Sequence, residues 1–171
     1  MRKIILGLAV SLDSFIEGPN GEYDWCFTDQ DYGMHDFFNR VDAVFMGRKS
    51  YDLVQGMENT DFMPKMKTYV FSNTITQTKD DSIVVSGDIA AEIAKIKNQP
   101  GKDIWLFGGA NLTSSLMNSK LVDEVWLSVH PILLGSGKPL FSGIRERIKL
   151  NLIDTKTYST GLVSLTYALE K

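Results

Sequence analysis

One cysteine, Cys26, and two histidines, His35 and His130, are the only thiol and imidazole side chains among the 171 residues. A single thiol excludes an intrachain disulfide, and three such residues this far apart do not make a structural metal cluster. Flanked by Trp25 and Phe27, Cys26 reads as a small hydrophobe rather than a nucleophile. Positive charge is not in excess either: 18 basic against 21 acidic residues leave a net charge of −3 and a pI near 5.4. That disfavours nucleic acid or an anionic membrane as partner, since both are drawn by a basic field. No apolar run is long enough to span a bilayer. The start MRKIILGLAVSL imitates a signal peptide, but the run is short and Asp13 interrupts it before any small-residue cleavage site. It reads better as a buried first strand of a cytoplasmic protein. Repeats, low-complexity tracts and linkers are also missing, so residues 1–171 are expected to form one domain.

The apolar content is 43%, enough for a sizeable core. Strands are predicted over 3–10, 43–46, 68–71, 83–85, 104–107 and 124–129. A terminal pair over 148–157 and 162–169 reads as a hairpin about Tyr158–Gly161. Helices are predicted over 32–41, 49–54, 89–97, with Asp88 as N-cap, and 110–118. Residues 11–25 read as a loop around Gly18-Pro19-Asn20-Gly21. The alternation predicts an α/β protein whose mainly parallel sheet carries helices on both faces and ends in antiparallel strands.

Three stretches carry chemistry. In IWLFGGANLTSSLM (104–117) a strand runs into Gly108-Gly109 and then a helix start, whose free amides and positive dipole end suit an anion. AVFMGRKS (43–50) repeats the pattern, with Gly47 followed by Arg48, Lys49 and Ser50. Two cations at a helix N-terminus oppose the dipole, which makes sense if an anion offsets them. If the two strands are parallel neighbours, both helix starts face one crevice at their carboxyl ends. YVFSNT (69–74) ends a strand in hydroxyl and amide groups suited to a phosphate or sugar. Asp29, Asp31, His35 and Asp36 could be read as a metal site, but no second histidine or cysteine supports it, and no metal is expected. LLGSGKP (133–139) lacks P-loop spacing and has Pro139 where Ser or Thr is needed; G-x-G-x-x-G is absent.

Together these stretches, in this order, resemble the dihydrofolate reductase superfamily. The nearer likeness is to the reductase domain of the bifunctional riboflavin-pathway deaminase–reductase. HPILLGSGKPLF (130–141) points to that branch. The zinc deaminase motifs H-x-E and P-C-x-x-C are absent, so a stand-alone reductase-like domain is expected. The resemblance implies a three-layer α-β-α dihydrofolate reductase-like fold and an NADPH-dependent oxidoreductase acting on a pyrimidine- or pterin-like small molecule. The closest activity is that of 5-amino-6-(5-phosphoribosylamino)uracil reductase. Dihydrofolate reductase, or a nucleotide-binding module without turnover, is the alternative. For the cofactor it implies Ala9 and the loop with Ile16 and Gly18 at the nicotinamide. Gly108, Gly109, Ala110, Asn111 and Leu112 would meet the pyrophosphate, with Gly47, Arg48, Lys49 and Ser50 on the first helix. Arg48, Ser72 and Asn73 would meet the 2′-phosphate. Asn73 stands where a basic residue is often seen, which leaves Arg48 most of the charge. The resemblance further implies a cis peptide between Gly108 and Gly109, and a proton-delivering acid at Asp31 or Asp36. It places Ser136, Gly137 and Lys138 beside the substrate. A homodimer through the C-terminal part of the sheet is expected.

Overall fold

Strands buried on both faces show no alternation in sequence, because every side chain meets a helix. The first strand, β1 (Ile4–Ser11), is of this kind: Ile4 and Leu6 pack into one apolar cluster and Ile5 into another. The computed structural model describes residues 1–58 and 60–170. Following β1 come β2 (Phe15–Glu17), α1 (Met34–Arg40), β3 (Val41–Gly47), α2 (Arg48–Gln55), β4 (Lys67–Phe71) and β5 (Ile83–Val85). The chain continues through α3 (Ile89–Lys97), β6 (Asp103–Gly108), α4 (Ala110–Asn118), β7 (Glu124–His130), β8 (Lys138–Pro139), β9 (Leu150–Thr157) and β10 (Val163–Leu169).

The main sheet has eight strands in the order β5-β4-β3-β6-β1-β7-β10-β9. All its pairings are parallel except those of β10, which runs antiparallel to β7 and to β9. On one face, Ile93 and Ile96 of α3 and Leu112 and Leu116 of α4 meet Leu6, Phe45 and Leu106. On the other, Phe37 of α1 and Tyr51 of α2 meet Ile5, Val44 and Trp105. This is the expected three-layer α-β-α arrangement with its antiparallel C-terminal pair. The sheet's register is pinned at the amino ends of β1 and β7. There Glu124, 3% exposed, accepts from Lys3 at 2.6 Å and Arg40 at 2.8 Å. Burial pushes its carboxyl up, but the two cations outweigh that and hold it below its ordinary value.

Three local expectations need correction. Val41 is extended and opens β3, so α1 runs into the strand with no loop and ends one residue earlier than its apolar spacing suggests. The helix also starts later than predicted. Tyr32 (φ 50°) and Gly33 (φ 86°) take left-handed conformations before it. The supposed loop 11–25 contains β2, which pairs with β8 in a second, two-stranded sheet.

Candidate functional site

Parallel pairing of β3 with β6 aligns Met46 with Gly108 and brings the two strand–glycine–helix turns side by side. Gly109 has φ 97°, and a Cβ there would stand 3.3 Å from Ser50 Oγ and 3.7 Å from Gly47 Cα. The pair is therefore needed twice, for a backbone that L side chains rarely adopt and for close approach to α2. Gly108 has φ 123°, and no peptide among the described residues is cis. The cis bond expected between Gly108 and Gly109 is therefore not seen; both residues take positive φ. Neither α2 nor α4 has a side chain capping its first turn, so amides of both helix starts are left for a ligand. Just inside α4 lies Thr113, 1% exposed, whose Oγ1 has no hydrogen-bond partner among the described residues. Leaving a buried hydroxyl unpaired costs about 1–3 kcal/mol. Thr113 was not apparent from the sequence, where it reads as an ordinary helix residue.

These turns open into a cleft of about 400 Å³ at the carboxyl ends of the strands. Sheet residues Leu8, Ala9, Trp105, Phe107 and Trp126 line it, with Ser50 and Leu53 from α2. The far wall is a lid formed by the segment after β1, which contributes Ile16, Tyr23, Cys26, Phe27, Asp31 and Tyr32. Burial, with Asp24 nearby, pushes the Cys26 thiol up to about 11, so it stays protonated at neutral pH.

The lid is tied down. The Asp13 carboxylate accepts from Ser11 Oγ at 2.6 Å and from the amides of Leu134 and Gly135 at 3.1 and 2.8 Å. Those hydrogen bonds, first that of Ser11, hold its carboxyl below the ordinary value. At Gly137 (φ 145°) a Cβ would stand 2.2 Å from the Glu17 carbonyl oxygen, so glycine is what lets this loop pack on β2. Behind the lid sits His130, 3% exposed. Its Nε2 accepts from the Phe27 amide at 3.1 Å, and Nδ1 lies 3.0 Å from the Ser128 carbonyl oxygen. The first contact requires an unprotonated Nε2, so Nδ1 carries the proton. Burial lowers its pKa, keeping the ring neutral.

Of the residues singled out in the sequence, Ala9, Ile16, Asp31, Ser50, Gly108, Gly109, Ala110 and Lys138 line this cleft. Gly47 stands behind the glycine pair. Arg48 lies at the outer end of α2, where Nε bonds Asp52 at 2.9 Å and Nη1 reaches Thr74 Oγ1 at 3.4 Å. Ser72 Oγ is 3.1 Å from that Thr74 hydroxyl, so Arg48, Ser72 and Thr74 form one cluster. Asn73 is turned aside, its Oδ1 accepting from the Gly87 amide at 3.4 Å. Lys49, Asn111 and Ser136 are exposed, and Leu112 packs into the core. Gly18 serves its own turn: its amide donates to the Glu22 carbonyl at 2.8 Å, and a Cβ would meet the Glu22 side chain at 2.2 Å.

Of the two acids, Asp31 lines the cleft while its carboxylate accepts from the amides of Gly33 and His35 at 3.0 and 2.9 Å. It is exposed. The Asp36 side chain is 93% exposed and does not line the cleft. Among the described residues no group of three His, Cys, Asp or Glu could hold a metal, and no helix is long and apolar enough to cross a membrane.

Comparison with known proteins gives a consistent picture. The RibD C-terminal domain model matches residues 2–164. The uncharacterized protein YyaP of Bacillus subtilis (strain 168) is 46% identical, covering 97% of this chain and 94% of YyaP. A putative riboflavin biosynthesis protein from Shewanella sp. PV-4 superposes with a TM-score of 0.84 at 28% identity, covering 100% of both chains. The deaminase/5-amino-6-(5-phosphoribosylamino)uracil reductase of Thermotoga maritima gives 0.74 at 15% identity, over 99% of this chain and 57% of that one. A dihydrofolate reductase from Enterococcus faecalis complexed with NADP(H) gives 0.72 at 14% identity, over 99% and 97%. At such low identity the last two speak for the fold.

Proposed function

The chain belongs to the RibD C-terminal domain family, and from that premise we propose that it is an NADPH-dependent reductase of a pyrimidine- or pterin-like heterocycle. The observation that carries this reading is the opening of two uncapped helix starts, with Gly108-Gly109 between them, into one aromatic cleft. The residues fit the dinucleotide. The amides of Ala110, Asn111 and Leu112, with Ser50 Oγ and the unpartnered Thr113 hydroxyl, would hold the pyrophosphate side. Arg48, with Ser72 and Thr74, would hold a 2′-phosphate. Ala9 and Ile16 would flank the nicotinamide. NADPH, when bound, supplies a hydride. The chain's own work is to exclude water with the tied-down lid and to orient the acceptor. The Asp31 carboxylate accepts hydrogen bonds and can hold an N–H edge of a flat ring.

The test is loss of NADPH absorbance with aminouracils, with and without a ribosyl phosphate, and with dihydrofolate. Oxidation that needs both protein and heterocycle is expected. A protein that binds NADPH yet oxidises none with any of them is a binding module instead.

We also propose a homodimer through β9. This edge strand leaves backbone groups unpaired and exposes Leu150, Leu152 and Ile153 at 41%, 56% and 53%. Sedimentation should show a dimer that Ile153→Lys converts to monomer; a monomeric unaltered protein removes the proposal.

A further inference from the structure

The cleft's charges argue against the phosphorylated substrate that the neighbours' names suggest. Of the described residues lining it, only Lys138 carries a lysine or arginine side chain, and its Nζ lies 3.6 Å from Glu17 Oε1. Glu17 itself lines the cleft, as does Asp31. His130 is neutral, for the reasons given above. Lys156 is held over the Tyr158 ring at 5.0 Å, and Tyr158 packs on the lid's Tyr32. The lid adds to the imbalance. Between β1 and α1, over residues 12–33, the sequence has six acidic residues, Glu17 and Asp31 among them, and no lysine or arginine.

The remaining surface is aromatic: Trp105, Phe107 and Trp126 from the sheet, and Tyr23, Phe27 and Tyr32 from the lid. Flat aromatic walls under a negative rim suit a neutral or cationic ring system and repel a dianion. The groups fit to hold phosphate, Arg48 and the starts of α2 and α4, lie at the opposite side and are engaged by the cofactor on the reductase reading.

We propose that the substrate is an unphosphorylated planar heterocycle, neutral or cationic, stacked between the sheet and lid aromatics. This rests on the reductase reading of the same cleft. It assigns Glu17 a specificity role: neutralising Lys138, the one lysine or arginine among the described residues that line the cleft.

Two ligand pairs differing only in a phosphate test it: riboflavin against flavin mononucleotide, and 5-amino-6-ribosylaminouracil against its 5′-phosphate. Binding is read by quenching of tryptophan fluorescence in protein saturated with NADP+, and NADPH binding is measured separately. In at least one pair the unphosphorylated member should bind about tenfold more tightly, a gap that closes as salt screens the rim. Glu17→Gln, which frees Lys138, should narrow the gap severalfold. Phosphorylated members held as tightly as their partners, or more so, in every pair that binds overturn the proposal. So does failure of all four ligands in a protein that binds NADPH. If NADPH does not bind but the unphosphorylated member is still preferred, the reductase reading falls and the specificity stands.

Discussion

Gly109→Val is expected to weaken NADPH binding at least about 100-fold and to lower the melting temperature by about 5 °C. The first effect comes from the site. A branched side chain at this position points at Ser50 Oγ, 3.3 Å from the first added carbon, where the two helix starts meet. Losing the several amide and hydroxyl contacts there, each worth about 1.5–3 kcal/mol to a charged group, readily accounts for two orders of magnitude. The second effect comes from the backbone. A φ of 97° costs a non-glycine residue about 1–3 kcal/mol, and each kcal/mol moves the midpoint of a domain this size by about 2–4 °C. Gly161→Val is the control. Its φ is 90° and its added carbon would meet Pro131 Cγ at 3.3 Å, a similar strain placed on the hairpin. It should lose similar stability and keep NADPH affinity. If Gly109→Val binds NADPH normally, the glycine pair is a structural turn and the anion is elsewhere.

Arg48→Ala should weaken NADPH about 10- to 100-fold and change NADH less than about twofold. Arg48 is 44% exposed and held by an i,i+4 pair with Asp52. Such surface pairs are worth about 0.3–0.5 kcal/mol, so the guanidinium is easily diverted. A hydrogen-bonded charge pair with a phosphate is worth about 1.5–3 kcal/mol. Because Asn73 turns to Gly87 and no second cation among the described residues is bonded into the cluster, Arg48 must carry the discrimination, with the Ser72 and Thr74 hydroxyls beside it. Equal losses for the two nucleotides would assign Arg48 to helix stability instead. Calorimetric titration of both nucleotides separates these results.

Much of this was legible in the sequence because local chemistry and fold agree. An apolar run without alternation marked β1, apolar runs ending in glycine marked β3 and β6, and the Ile89, Ile93, Ile96 spacing with Asp88 marked α3 to its ends. The two glycine turns, on which the proposed anion site rests, were readable because strand, glycine and helix start are contiguous. What depends on distant pairing was not. β2 and β8 are three and two residues long, too short for a period to emerge, and they exist because each supplies the other's hydrogen bonds. Val41 has the spacing of a helix residue, but Asp103 and Ile104 of β6 draw the chain into the sheet there. The cleft's aromatics were hidden for another reason: Trp105 and Trp126 look like core residues until the lid is in place. His130 and Thr113 gave no local signal, since their importance lies in a partner 103 residues away and in a hydroxyl left without one. The resemblance pointed to Asp31 and Asp36 alike; Asp31 lines the cleft, whereas Asp36, four residues from Arg40 on the same helix, points to solvent.

The most direct test of the account is a titration of the unaltered protein with NADPH and NADH, followed by fluorescence transfer from Trp105 and Trp126 to the reduced nicotinamide. The account predicts saturable micromolar binding of NADPH that exceeds NADH. Absence of binding by either nucleotide would contradict it.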